Sequence, residues 1–433
     1  MRTVSKTVIG VDFGTQSARA VLVNAENGEI IYSCRKEYPY NSTPVPAIDC
    51  AENLPCATDY EMTLYELLRN VIPEEYRKTV AGICVDATSL TMVLLAEDGR
   101  ALSELDGWSD AAHARVKLWK YHRAQEKADE ALNLARNLQE PFLGRTGGSI
   151  SCEWMLPKLL EVRDEAPEIY SKIDLAMDLC EFLTFRLTGQ LVRSIGSLSY
   201  KCLWAEDLSF PERTFLNGLR AGFYEEYCHF LRGDVRKPGE CAGVLRSELT
   251  KRWGLPEQIP VATGMLDGHT SLATMGAFEP GDAALIVGTS NVCTVQDRKL
   301  QELKDVCGVA QDGMVTGSCG IDTGQSSTGN MLGWFVEHMA GWQIHREAEE
   351  RKISPHQVLA ERIQKPWENK VIAVDWWSGS RNAPCDLTLR GSMSGLEMDT
   401  KTEDIYLALL QAIACGTGTI LESLSGQGVE IGR

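Results

Sequence analysis

The chain has 433 residues, 44% hydrophobic and 24% charged, a globular composition and more sequence than one simple core organises, so two domains are expected. Its formal net charge of −17 repels nucleic acid and anionic membrane and removes both from the expected partners, while a phosphate ligand held by local N–H groups stays open. The 14 cysteines form no CxxC pair and no zinc-finger spacing, several (Cys84, Cys202, Cys293, Cys415) sit in apolar contexts, no leader precedes the first strand and no apolar run spans a membrane, so a reducing cytoplasm is expected.

Residues 8–23, VIGVDFGTQSARAVLV, read as a buried strand, a tight turn and a second strand. Gly14 lets backbone approach a ligand, Thr15 and Ser17 put hydroxyls and N–H groups at the tip, and Asp12 supplies a carboxylate suited to Mg²⁺ or its waters. Taken alone, the segment is also an ordinary hairpin with polar turn residues. Strands near 8–13, 18–24 and 29–36 make an antiparallel meander, followed by a Pro- and Asn-bearing loop at 39–56 and a helix near 57–71. VAGICVDATSLTMVLLAEDG is a strand, a polar break at Asp86–Thr91 and another strand. Helices are expected near 112–137, 153–163 and 178–188, the last closed by Gly189. Glycines and prolines between 233 and 262 mark the inter-lobe passage, placed around 254–262, which divides the chain into 1–257 and 258–433.

The second lobe opens with IPVATGMLDGHTSLATMGA: a short strand, a turn at Gly264 and a small-residue helix begun by Asp267. Residues 282–296, DAALIVGTSNVCTVQ, repeat the strand–Gly-Thr–strand pattern, which suggests a duplicated architecture with one phosphate turn per lobe. No GxxxxGK[ST], HRD, DFG or strand-borne GxGxxG occurs, so a nucleotide would be held by paired hairpins. A loop-rich part with a Gly-rich stretch at 313–330 leads to a helix over 326–340. In the helix over 403–424, Ile405, Ala408, Leu409, Ala412, Ile413, Gly416 and Ile420 follow the period of a buried face. The final GVEIGR falls where a further strand should begin.

Asp267, at a strand-to-helix passage, is the leading candidate to accept a proton from a hydroxyl attacking phosphorus, and the position equally suits a helix N-cap. Asp86 reads first as a turn cap and second as an orienter of its loop. Lys201, in SLSYKCLW, suits a sugar hydroxyl or phosphate as well as a snorkelling surface role. Asp322, in GIDTGQSS, is a turn Asp or a substrate contact, and DWWSGSRNAP (375–384) is taken as packing. The basic and aromatic run HARVKLWKYHRAQ (113–125) is not a nucleic-acid site, given the global charge, and His113 and His122 lack metal-ligand spacing.

With these residues in hand, the chain resembles the FGGY carbohydrate kinases over essentially its whole length. VDFGTQSARAVLV is similar to the family's first phosphate motif, LIVGTSN to its second and GMLDGHTS to the segment with its catalytic Asp; HARVKLWKYHRAQ, ISCEWMLPKLLE, SYKCLW, GQSSTGNMLGWFV and AVDWWSGSRN resemble the ribulokinase branch. The resemblance implies an α/β fold of two actin-like (ribonuclease H-like) lobes around a cleft. It implies transfer of the ATP γ-phosphate to the 5-hydroxyl of ribulose with Mg²⁺. Asp267 is then the general base; Asp12, with Asp267, holds the metal; Gly14, Thr15, Gln16, Ser17, Gly288, Thr289 and Ser290 lie at the phosphates; Ser89, Lys201, Asp267 and Asp322 contact the sugar. Asp322 stands where the family usually has Glu, and Ser89 where a small apolar residue is usual. The family also continues past the 403–424 helix into a Gly-rich adenosine-binding segment, so the second lobe is expected to be incomplete, with apolar surface exposed on that helix. Xylulose, ribitol and glycerol are the alternative acceptors, and a homodimer is the assembly entertained. A non-catalytic sugar-binding or assembly form and an actin- or Hsp70-like ATPase are the competing classes.

Overall fold

The computed structural model describes residues 5–38, 54–364, 366–382, 385–386 and 388–433. Most of the loop expected at 39–56, and residues 383–384 of the 375–384 segment, lie outside the described residues. The chain forms two compact units, Met1–Leu143 with Ile150–Thr274 and Ala310–Cys319, and Gly144–Ser149 with Met275–Val309 and Gly320–Arg433.

The first unit is built on β1 (Thr7–Phe13), β2 (Ser17–Asn24), β3 (Ile30–Glu37) and β4 (Val80–Ala87). β1, β2 and β3 form the expected antiparallel meander, and β4 runs parallel to β1. Ile9, Val11 and Phe13 alternate inward along β1, as period two requires, and meet Leu64, Leu67 and Leu68 of the helix Ala57–Val71 in one core cluster. The Asp59 carboxylate accepts from Cys56 N (3.1 Å) and closes that helix's first turn. The helix Leu179–Thr188 packs in the same cluster and ends at Gly189, whose φ of 70° gives the left-handed C-cap read from the sequence.

Two expectations are corrected here, the helix over 112–137 and the division at 257/258. The strand after the polar break, β5 (Met92–Leu95), pairs antiparallel with β6 (Leu175–Asp178), away from β4. The helix expected over 112–137 exists only as Gln125–Leu138. Upstream, Ala112–Ala114 is a single tight turn, and Lys117 exchanges backbone bonds with Met92 (2.9 and 3.1 Å), so pairing with β5 displaces helix. The division at 257/258 is not where the compact units part. After β7 (Val192–Ser194), which pairs parallel with β8 (Asp234–Arg236), come β9 (Cys241–Val244), β10 (Pro260–Ala262) and β11 (Met265–Leu266). β10 and β11 both dock parallel to β4, giving the order β3-β2-β1-β4-β10-β9 with β11 beside β4, and the first unit therefore runs through Thr274.

A second sheet has the order β12-β13-β15-β14, from β12 (Ala283–Val287), β13 (Asn291–Asp297), β14 (Gly308–Gln311) and β15 (Cys319–Gln325), of which β12, β13 and Gly320–Gln325 of β15 lie in the second unit. β15, fully buried, occupies much of the stretch expected to be Gly-rich loop. The helix Gly329–Met339 and the long helix Thr402–Gly426 share a core of Met331, Phe335, Tyr406 and Leu409. Of the predicted inward face, Ala408, Leu409, Ala412 and Ile420 are buried, and Ile405 and Ile413 are partly so. By length and composition this helix is apolar enough to cross a membrane, contrary to the reading of the apolar runs, and about a third of its most apolar window is buried inside the protein. At the other edge of the sheet, Gly432 N donates to Gly281 O and Ala283 N to Arg433 O, each at 2.7 Å.

Candidate active site

In the first unit, Asp12 on β1 pairs in register with Asp86 on β4, and Met265 on β11 pairs with Asp86 from the other side. Asp267 follows two residues later, as the first residue of the helix Asp267–Met275. Three carboxylates therefore sit at the carboxyl ends of three adjacent parallel strands, where open α/β sheets bind ligands. Gly264 makes this possible. A Cβ there would lie 2.6 Å from Cys180 O, so only glycine lets the chain between β10 and β11 pass this close to the helix Leu179–Thr188.

Burial pushes the Asp86 carboxyl up to about 8, with Asp12 beside it and Asp267 adding and the Thr270 hydroxyl opposing. Its Oδ1 is buried without a hydrogen-bond partner, and its side-chain hydrogen bonds go to Asp12 and Thr270 and not to a local turn. Asp12 is instead ion-paired, 2.7 Å from Arg19 Nε. Burial also raises Asp267, although Gly268 N donates to its Oδ1 (2.7 Å) and His269 and Lys201 favour its charged form. Lys201, half-buried at the end of the helix Ile195–Lys201, thus shares one electrostatic field with Asp12 and Asp267. Ser89, in the loop after β4, has its Oγ buried with no partner, an orphaned hydroxyl that a bound polyol would satisfy.

Gly14 N closes the β1–β2 turn onto Ser17 O (3.1 Å), and Tyr38 Oη fixes Gly14 O (2.9 Å). Gln16 is exposed at the tip, and Ser17 Oγ accepts from Arg35 Nε (3.0 Å). Trp119 Nε1 donates to Thr15 Oγ1 (3.1 Å), a tie between segments 104 residues apart that no local pattern announced; the signal available was the aromatic in HARVKLWKYHRAQ.

In the second unit the β12–β13 turn is built alike, with Gly288 N donating to Ser290 O (3.0 Å) and Gly288 and Thr289 exposed. It is bolted to the start of the helix Gly329–Met339: Gly329 N and Thr328 Oγ1 each donate to Gly288 O (3.0 Å), and Asn330 N donates to Thr289 O (3.2 Å). Asp322 lies in this unit, buried on β15 and not in a turn. Among the described residues no three His, Cys, Asp or Glu side chains converge on a metal position. The Asp12–Asp86 pair, with its orphaned oxygen, still fits a hard cation that keeps waters and phosphate oxygens as its other ligands.

Residues 7–274 match the N-terminal domain of the FGGY family of carbohydrate kinases, and residues 283–433 match its C-terminal domain. The chain belongs to that family. Relatives of this FGGY kinase include a ribulokinase from Halalkalibacterium halodurans, 34% identical over 99% of this chain and 78% of its own length, and a ribulokinase from Mycolicibacterium smegmatis, 36% identical over 98% and 77%. The fold matches a xylulose kinase from Rhodospirillum rubrum with a TM-score of 0.75 at 20% identity, covering 99% of this chain and 80% of that one. A glycerol kinase from Plasmodium falciparum matches with a TM-score of 0.75 at 16% identity, covering 99% and 80%. The chain is thus a sugar kinase of the two-domain α/β fold, and ATP is the family's phosphate donor.

Proposed function

We propose that this kinase phosphorylates a pentulose, ribulose foremost, to the 5-phosphate. The observation that carries the reading is Asp267, half-buried, its carboxyl raised by desolvation, sharing its field with Lys201 and Asp12. A carboxylate so placed accepts the acceptor's hydroxyl proton as the oxygen attacks the γ-phosphorus, while the bond to ADP breaks. Lys201 and Ser89 hold sugar hydroxyls on the same unit, and Asp322 is a further sugar contact. Gly14, Thr15, Gln16 and Ser17 in one turn, and Gly288, Thr289 and Ser290 in the other, offer N–H and hydroxyl groups to phosphates. Asp12, Asp86 and Asp267 are the carboxylates that would hold Mg²⁺ or its waters, and the ion would neutralise phosphate charge. The relatives named ribulokinase support the sugar, and the shorter Asp322 and the polar Ser89 are reasons to try other acceptors. The cytoplasm is the proposed compartment, since the described cysteines are all free thiols.

ADP release with ribulose, ribitol, xylulose and glycerol tests this. Ribulose is expected to give the highest kcat/KM, and Asp267→Ala to lower kcat by roughly a thousandfold or more. No turnover with any acceptor rejects the activity, and a near-normal rate in the variant rejects the base.

A further inference from the structure

The loop after β4, Thr88-Ser89-Leu90-Thr91, is held in a costly shape by two buried ionisable side chains that have no part in the chemistry above. Leu90 has a φ of 46°, a left-handed conformation that costs a non-glycine residue roughly 1 kcal/mol. Both partners of the loop are fully buried, at 0% exposure: Asp178 and Lys158. The Asp178 carboxylate accepts from Leu90 N (3.1 Å), Thr91 N (3.2 Å), Leu179 N (2.8 Å) and Ser197 Oγ (2.8 Å). The Lys158 ammonium donates to Leu90 O (3.1 Å), Leu118 O (2.8 Å) and Lys117 O (3.3 Å). One side chain thus takes the loop's N–H groups and the other its carbonyl. Lys158 also fixes the backbone just before Trp119, whose indole reaches Thr15 in the phosphate turn.

Two buried ionisable groups are a poor way to gain stability, because burial pushes Asp178 up and Lys158 down toward their neutral forms and apolar side chains of the same volume commonly do as well. What only these groups provide is a backbone set in one position under Ser89. We infer that Asp178 and Lys158 are positioning residues that hold the 88–91 loop so that Ser89 faces the acceptor sugar. This rests on the reading of Ser89 as a sugar contact.

Asp178→Asn is the deciding variant. Asn caps a helix as well as Asp, so the helix Leu179–Thr188 keeps its N-terminus, but the loop amides lose a charged acceptor. Hydrogen–deuterium exchange over residues 88–95 of the free protein is expected to quicken at least tenfold. The sugar KM is expected to rise at least fivefold with the ATP KM within twofold, a split that general loosening would not produce. Lys158→Met is expected to raise both KM values, because it also frees the Trp119 segment. Should it fail to fold, Ser197→Ala, which removes one donor to Asp178, is expected to repeat the sugar-side effect more weakly. Unchanged exchange in Asp178→Asn overturns the inference, as does faster exchange with an unchanged sugar KM. Failure of the function reading is visible separately, as a wild type that turns over none of the four acceptors. Failure of the Ser89 reading appears as a Ser89→Ala variant with normal sugar KM. The exchange readout needs no turnover and decides the loop's restraint in either case.

Discussion

Asp12, Asp86 and Asp267 are the same residue type in three different electrostatic situations, and neighbours set the difference. Asp12 is paired with Arg19, Asp267 is half-buried but offered the Gly268 amide, and half-buried Asp86 has one oxygen buried and unpartnered. The raised carboxyl of Asp86 means that the folded protein holds a proton there that the unfolded chain has released. Its contribution to stability is therefore complete below the ordinary aspartate range and is lost as pH rises through about 8. Asp86→Asn cannot titrate, so melting temperatures measured from pH 4 to 9 should show the wild type falling progressively below the variant as pH rises. Parallel curves would remove the raised carboxyl from the account. Asp267 and Asp86 both stood out in the sequence as carboxylates ending strands. Asp267 takes its cap-like bond from the adjacent Gly268, but the groups around Asp86 are Asp12, Asp267 and Thr270, all distant along the chain, and no local pattern encodes that.

At the level of elements, strand periodicity and turn residues were read correctly wherever the chain pairs with its immediate neighbour, as in the β1–β2–β3 meander and the β12–β13 hairpin. The reading failed where a distant segment competes. Lys117 joins β5 instead of continuing a helix, and the glycines near 320 admit a buried strand. Gly264 joins the two levels, since it was seen as a turn residue and proves to be a contact residue. Its Cβ position is 2.6 Å from Cys180 O and 2.9 Å from Thr184 Oγ1. Gly264→Val must push β11 off the helix Leu179–Thr188 and displace Asp267, three residues on. Urea unfolding should show a loss of about 1–3 kcal/mol, with a fall in kcat beyond what the folded fraction explains. An unchanged midpoint would mean that the close approach is not a constraint.

For the whole molecule, each unit has its own core, the first around Phe13, Leu64 and Leu183 and the second around Met331, Phe335 and Leu409. Chains of this kind depart from two-state unfolding. Calorimetry should give a total enthalpy larger than the van't Hoff value, and sugar alone should raise the transition of the first unit, which holds Ser89, Lys201 and Asp267. A single two-state transition would contradict this. The amino-acid sequence by itself determined the repeated strand–Gly-Thr–strand hairpins and the carboxylates worth watching, because those follow from local periodicity and residue type. Only the tertiary structure decided that β10 and β11 join the first sheet, that residues 310–319 pack with the first unit and 144–149 with the second, and that Asp178 and Lys158 lock the Ser89 loop. The reason is that desolvation and hydrogen-bond partnership are set by neighbours in space, and here those neighbours are tens of residues apart along the chain.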